Sequence, residues 1–285
     1  MGERTLTQLA EGGGFFEGPR WHDGRWWVSD FYRQAVFTYT TDGQEAQVLT
    51  VENQPSGLGW LSDGSLLVVS MRDHKLLRLD IYDRVEEVAD LSHYAGGHLN
   101  DMVVDAHGRA YVGSFGFDLM ARAEPRNADL LRVDVDGTVT IAAGDLAFPN
   151  GSVITPDGET LIVGETMGNR YTAWTIADDG SLSDRRTWFQ QEGLAPDGCC
   201  LDAEGHIWSA DALANRCVRI APGGGIVDTI PAPDGLGVYA CMLGGDDGRT
   251  LLLCAAPDYY EQRRKVAREA VLLTTTVEVP HAGLP

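Results

Sequence analysis

The chain has 285 residues, 44% of them hydrophobic, with 34 glycines and 22 Lys plus Arg against 42 Asp plus Glu, a formal net charge of −20. Such acidity repels phosphate backbones and anionic lipid surfaces, so neither nucleic acid nor membrane is expected as a partner. Apolar residues run through the whole length, which excludes a disordered chain, yet no stretch approaches the ~20 consecutive apolar residues that cross a bilayer.

In chain order, residues 5–9 are a short strand candidate. Asp23-Gly24 is the first of a series of hairpin turns, repeated at Asp63-Gly64, Asp157-Gly158 and Asp247-Gly248, with degenerate copies at His107-Gly108 and Glu204-Gly205. Each glycine supplies the positive φ that such a turn demands. Successive turns lie 40, 44, 50, 47 and 43 residues apart. A β-rich run follows each one, from Arg25-Trp26-Trp27-Val28 to Thr250-Leu251-Leu252-Leu253, and another short apolar run precedes it. Third strands follow in several copies, as at Leu76-Leu77-Arg78-Leu79 and Leu130-Leu131-Arg132-Val133. Residues 259–270 read as a short helix or a long loop, and residues 271–279 as a last strand.

Repeats of roughly 40–50 residues with about four strands each are the signature of propeller blades. Six copies predict an all-β, six-bladed β-propeller in which residues 1–285 form a single domain. One terminal strand is expected to complete a blade begun by the other, hiding two sheet edges.

In a propeller the first strand of each blade lies nearest the channel and starts at the mouth opposite the hairpin turn. The residues opening the repeats are Glu17, Ser56, Asn100, Asn150 and Asp197; the sixth copy, around Tyr239-Ala240-Cys241, offers nothing comparable. Each of these types also makes ordinary turns before glycine. In phase, however, they gather oxygen donors at one mouth, and two carboxylates confined together repel unless a proton or cation intervenes. This predicts a central metal-binding channel. The donors suit Ca²⁺, Mg²⁺ or Mn²⁺, with Zn²⁺ also accommodated.

The segments Phe16-Glu17-Gly18-Pro19-Arg20-Trp21, Leu99-Asn100-Asp101, Phe148-Pro149-Asn150-Gly151 and Ala195-Pro196-Asp197-Gly198, followed by Asp202, Gly205 and Trp208, carry a resemblance. Over roughly residues 17–255 the chain resembles the senescence marker protein/gluconolactonase/luciferin-regenerating enzyme family. The resemblance implies a six-bladed propeller with one divalent metal ion in its channel. It also implies hydrolysis of sugar lactones and sometimes of other esters or organophosphates. Glu17, Asn150 and Asp197 match the metal ligands, Asn100 a contact to substrate or to a metal-bound water, and Asp197 also the general base.

One position departs from the pattern. Sugar-lactone members carry Arg two residues before the substrate-contacting Asn, and here that residue is His98. The guanidinium fork for sugar hydroxyls is missing, although a histidine there can donate one hydrogen bond or move a proton near neutral pH. Residues 116–129, with Phe117, Leu119 and Met120, fall at the same mouth as a lid or a solvated connection. Met71, Phe115 and Glu165 are further candidates for the pocket lining. The expected function is therefore divalent-metal-dependent, gluconolactonase-like opening of a lactone ring, on an aldonolactone or on a less polar lactone. The alternatives are an esterase or phosphotriesterase on the same metal, or a non-catalytic Ca²⁺-binding propeller.

The five cysteines are odd in number and lack zinc-type spacing. The first ten residues do not read as a secretory signal. Reduced thiols in a cytoplasm, and a monomer or weak homo-oligomer, are the corresponding expectations.

Overall fold

A computed structural model of the chain describes residues 4–283. It contains six antiparallel four-stranded sheets. Five take consecutive strands: the first blade runs Phe16–His22, Arg25–Asp30, Ala35–Tyr39, Glu45–Thr50, and the fourth Pro149–Ile154, Thr160–Glu165, Arg170–Ile176, Leu182–Gln190. The sixth is composite. Gly237–Gly244, Thr250–Ala256 and Ala270–Thr276 are joined at the outer edge by the N-terminal strand Thr7–Gly13, in register Thr7 with Thr274 and Gln8 with Leu273. The closure expected from the two ends is present, with the first strand shifted a few residues from the span 5–9. The segment 259–270 is both things that its sequence allowed: a single helical turn, Glu261–Arg264, then loop.

All six expected turns carry glycine at positive φ, from 71° at Gly24 to 86° at Gly64. In three of the four Asp-Gly turns the aspartate caps the backbone two residues on: Asp63 accepts from Ser65 N, Asp157 from Glu159 N and Asp247 from Arg249 N, at 2.9–3.0 Å. The degenerate copies keep this chemistry by moving the acid. Asp105, two residues before His107, accepts from His107 N and Arg109 N. Asp202, two before Glu204, accepts from Glu204 N and His206 N.

Burial falls from channel to rim. Every residue of the fourth inner strand is buried, whereas its outermost partner, Leu182–Gln190, is mostly exposed. Apolar clusters fill the space between blades, built on second-strand residues such as Val28, Val68, Val112, Val163 and Leu253, all with 0% exposure. Among the described residues no helix is long and apolar enough to cross a membrane, and all five cysteines are buried and unpaired.

The inner strands share one irregularity that matters for function. Each carries a register shift near its start: between Glu17 and Arg20, Pro55 and Leu58, Leu99 and Met102, Pro149 and Ser152, Pro196 and Cys199, and Val238 and Ala240. A bulge re-aims the side chains beside it, and here it does so six times at the same mouth. It also presses neighbouring backbones together. A Cβ on Gly151 would lie 2.4 Å from Asp197 O, and one on Gly57 would lie 2.4 Å from Met102 N. Glycine at these places is thus a packing requirement.

Candidate active site

A cavity of about 360 Å³ opens at this mouth. Its floor brings together Glu17, Asn100, Asn150 and Asp197, and its walls include Met71, His98 and Phe115. The four floor residues are buried despite their polarity. Each comes from the bulged start of a different inner strand, so four blades converge on one spot.

The floor is electrostatically unusual. Burial drives the Glu17 carboxyl well above its ordinary range, and the Asp197 charge pushes it the same way; the Gly18 N–H, donating to Oε2 at 3.0 Å, opposes this. Burial likewise raises Asp197, to about 8, against the stabilising Asn150 side chain. Two carboxyls that both resist ionisation share one water-poor floor. Among the described residues no Lys or Arg lines the cavity.

The amides are fixed by their partners. Asn150 Nδ2 donates to Thr166 Oγ1 at 3.2 Å, and that hydroxyl donates to Pro196 O at 2.6 Å. Asn100 Nδ2 donates to Pro149 O at 3.1 Å. Both chains commit the nitrogen to protein and leave the carbonyl oxygen as the uncommitted acceptor. The donor set therefore fits a divalent cation: two carboxylates that need positive charge, and an amide oxygen held ready. Among the described residues no three His, Cys, Asp or Glu side chains gather with metal-ligand geometry; beside the two carboxyls, the side-chain acceptors of the floor are the Asn100 and Asn150 amide oxygens.

Beneath the floor, Arg20 and Asp101 form a buried ion pair at 2.7 Å. Arg20 also donates to Leu58 O, Pro19 O and Met102 O at 2.7–3.1 Å, tying three blades together. Asp101 occupies the slot held by Gly18, Gly57, Gly151 and Gly198 in other blades. It fits over Gly57, where a Cβ would lie 2.9 Å from Asp101 Oδ1. Breaking such a pair from one side costs about 3–5 kcal/mol.

One candidate is not in the cavity. Glu165 is fully buried and turned into the protein, where it accepts from Arg170 Nε and Nη2 at 2.8 Å and from Ala147 N at 2.8 Å. Burial alone would raise its carboxyl, but these donors outweigh that and hold it below the ordinary carboxylate range. The same pin recurs in two other blades: Asp30 accepts from Gly14 N and Phe15 N, and Asp211 from Ala195 N and Arg216 Nε. An acid ending the second strand thus fastens the segment entering the inner strand.

The sixth blade also needs correcting. It contributes Tyr239, whose ring lines the cavity and packs 4.8 Å from Phe15. Phe15, Phe31, Phe148, Thr166 and Tyr259 are further lining residues that the repeat pattern did not single out. His98 lines the cavity with its ring 5.8 Å from Phe115. Burial, then the Arg72 charge, lowers its pKa and favours the neutral ring. From residues 116–129, Leu119 and Met120 reach the cavity.

Fold and floor together define a six-bladed β-propeller with a polar site sunk into one mouth of its channel. The chain belongs to the SMP-30/Gluconolactonase/LRE-like family, whose pattern matches residues 15–257. It is 29% identical over 160 residues to a 6-deoxy-6-sulfogluconolactonase of Pseudomonas putida, covering 55% of this chain and 53% of that one. It is 29% identical over 201 residues to a pentonolactonase of Haloferax volcanii, covering 68% and 65%. With regucalcin of Danio rerio it shares 27% over 177 residues, covering 60% and 59%. The matched region thus spans between about half and two thirds of these relatives' length. Among solved structures, a luciferin-regenerating enzyme superposes with TM-score 0.83 at 18% identity, covering 98% of this chain and 97% of that one. A calcium-binding regucalcin of Agrobacterium tumefaciens gives 0.82 at 22%, covering 100% and 96%. At these identities the two structures establish the fold.

Proposed function

We propose that this chain is a divalent-metal-dependent hydrolase that opens the ring of a lactone less polar than an aldonolactone. The observation that carries this reading is the floor itself: Glu17 and Asp197 buried together beside an oriented Asn150, under a cavity that no Lys or Arg among the described residues lines. Family membership and relatives named as sugar lactonases support the ring-opening reaction.

Glu17, Asn150 and Asp197 would hold the ion, and the ion when bound supplies an electrophile that polarises the ring carbonyl. Asp197 accepts a proton from the attacking water. The water oxygen bonds to the carbonyl carbon, the ring C–O bond breaks, and the proton passes to the departing oxygen, giving a hydroxy acid. Asn100, anchored through its nitrogen, offers Oδ1 to the water or to a substrate hydroxyl. Neutral His98 offers one N–H at the wall. The apolar walls exclude bulk water and strengthen every polar contact on the floor.

The test is a pH-indicator assay on a lactone panel, with an aryl ester and a phosphotriester as comparators. Lactones should turn over fastest, and Asp197→Asn should lower kcat by roughly 100-fold or more. An Asp197→Asn variant that binds metal and retains full turnover would sink the general-base role. Faster turnover of the phosphotriester would move the assignment to that reaction.

A further inference from the structure

The cavity walls are aromatic, and they face each other. Phe115 follows the second strand of the third blade, and Phe148 immediately precedes the inner strand of the fourth. Their rings stack at 4.5 Å and 16°, with Phe117 edge-on to Phe148 at 6.1 Å. On the first and sixth blades Phe15 packs against Phe31 at 5.4 Å and Tyr239 at 4.8 Å. The inner strands follow one another around the channel in blade order. In a six-bladed ring the first blade stands opposite the fourth and the third opposite the sixth. Among the described residues, ring-to-ring contacts run within each wall and not between the two. The cavity lies between them, above the floor, with a small part of each ring open to it and Met71, Leu119 and Met167 completing the lining.

These ring surfaces offer no partner to the hydroxyls of a polyhydroxylated ring, and the polar groups of the lining beyond the floor are few, among them Gln54, Thr166 and Asn169. Each hydroxyl buried against a phenyl wall loses water and gains no partner. A flat apolar ring loses little and gains offset or edge contacts on both sides. We propose that the substrate is a lactone bearing an aromatic ring, seated between the Phe115/Phe148 and Phe15/Tyr239 walls with its ester over the Glu17–Asp197 floor. The proposal rests on the lactonase reading above and narrows it to a chemical class.

The test compares kcat/KM for γ-phenyl-γ-butyrolactone and unsubstituted γ-butyrolactone, which share one reacting ring, with glucono-δ-lactone as the polyhydroxylated comparator and divalent metal present. The phenyl compound should be favoured over the unsubstituted ring by at least about tenfold, chiefly through KM. Phe148→Leu, which keeps apolar volume and removes the aromatic face, should melt near the wild type and lose most of that preference. Equal kcat/KM for the two butyrolactones, or a preference for glucono-δ-lactone, overturns the aromatic assignment and leaves the lactonase reading standing. No turnover of any lactone removes the reading itself, and this assignment with it.

Discussion

Stripping the metal from this protein should reverse the usual effect of raising pH from acid to neutral. An unfolded chain releases the Asp197 proton near 3.8, whereas the folded site holds it to about 8 because burial penalises the charge. Between those values the folded state binds more protons than the unfolded one, so stability falls as pH rises. At about 1.4 kcal/mol per pH unit, the loss approaches roughly 5 kcal/mol by pH 8. Glu17, raised for the same reasons and by the Asp197 charge as well, acts in the same direction. With an unfolding entropy of about 2.1 cal/mol/K per residue, that corresponds in a 285-residue chain to a drop in Tm of roughly 8 °C. A divalent ion on the floor neutralises both carboxylates and should flatten the curve. The assay is a series of thermal melts from about pH 5 to pH 8, with chelator and with millimolar Ca²⁺. A chelated protein whose Tm holds level or climbs over that range would falsify the claim that two buried, uncompensated carboxyls share this floor.

Other substitutions probe separate parts of the account. Gly151→Ala puts a Cβ 2.4 Å from Asp197 O and 2.6 Å from Cys199 N, and should cost about 3 kcal/mol in urea unfolding because backbone cannot move aside cheaply. Glu165→Gln weakens the pin to Arg170 and Ala147, so it should lower stability by about 2–3 kcal/mol while KM stays as in the wild type; a raised KM would return Glu165 to the pocket. Asp101→Asn leaves the Arg20 cation uncompensated under the floor, and calorimetry should show Ca²⁺ binding weakened at least about tenfold. Adding Arg20→Met to that variant should recover the affinity if charge is the cause, and lose more if the pair merely braces the blades.

The fold was legible because its signal repeats. Six turns in phase gave the blades, and even the copies lacking Asp-Gly preserved the acid two residues upstream, at Asp105 and Asp202. The floor was legible for a related reason. Glu17, Asn100, Asn150 and Asp197 are polar groups at the start of buried inner strands, each beside the bulge that the strands share. Tyr239 hid because a tyrosine leading an apolar run reads as an ordinary strand former. Thr166 hid because its value lies in a hydrogen bond across blades to Pro196 O, which no local pattern encodes. Glu165 was assigned to the right mouth but the wrong direction. A clue was present in sequence: an acid ending the second strand with an Arg three or five residues later, as in Asp30/Arg33, Glu165/Arg170 and Asp211/Arg216. Such a pair keeps the acid for the scaffold.

Ring opening should depend on one divalent ion held by Glu17, Asn150 and Asp197. The most direct test of this dependence is to titrate metal-stripped protein with Ca²⁺, Mn²⁺ or Zn²⁺ while following hydrolysis of a lactone. The account predicts that turnover rises from baseline and levels off at one ion per chain. Turnover that is already complete in chelator, or that never appears with any of these ions, would contradict it.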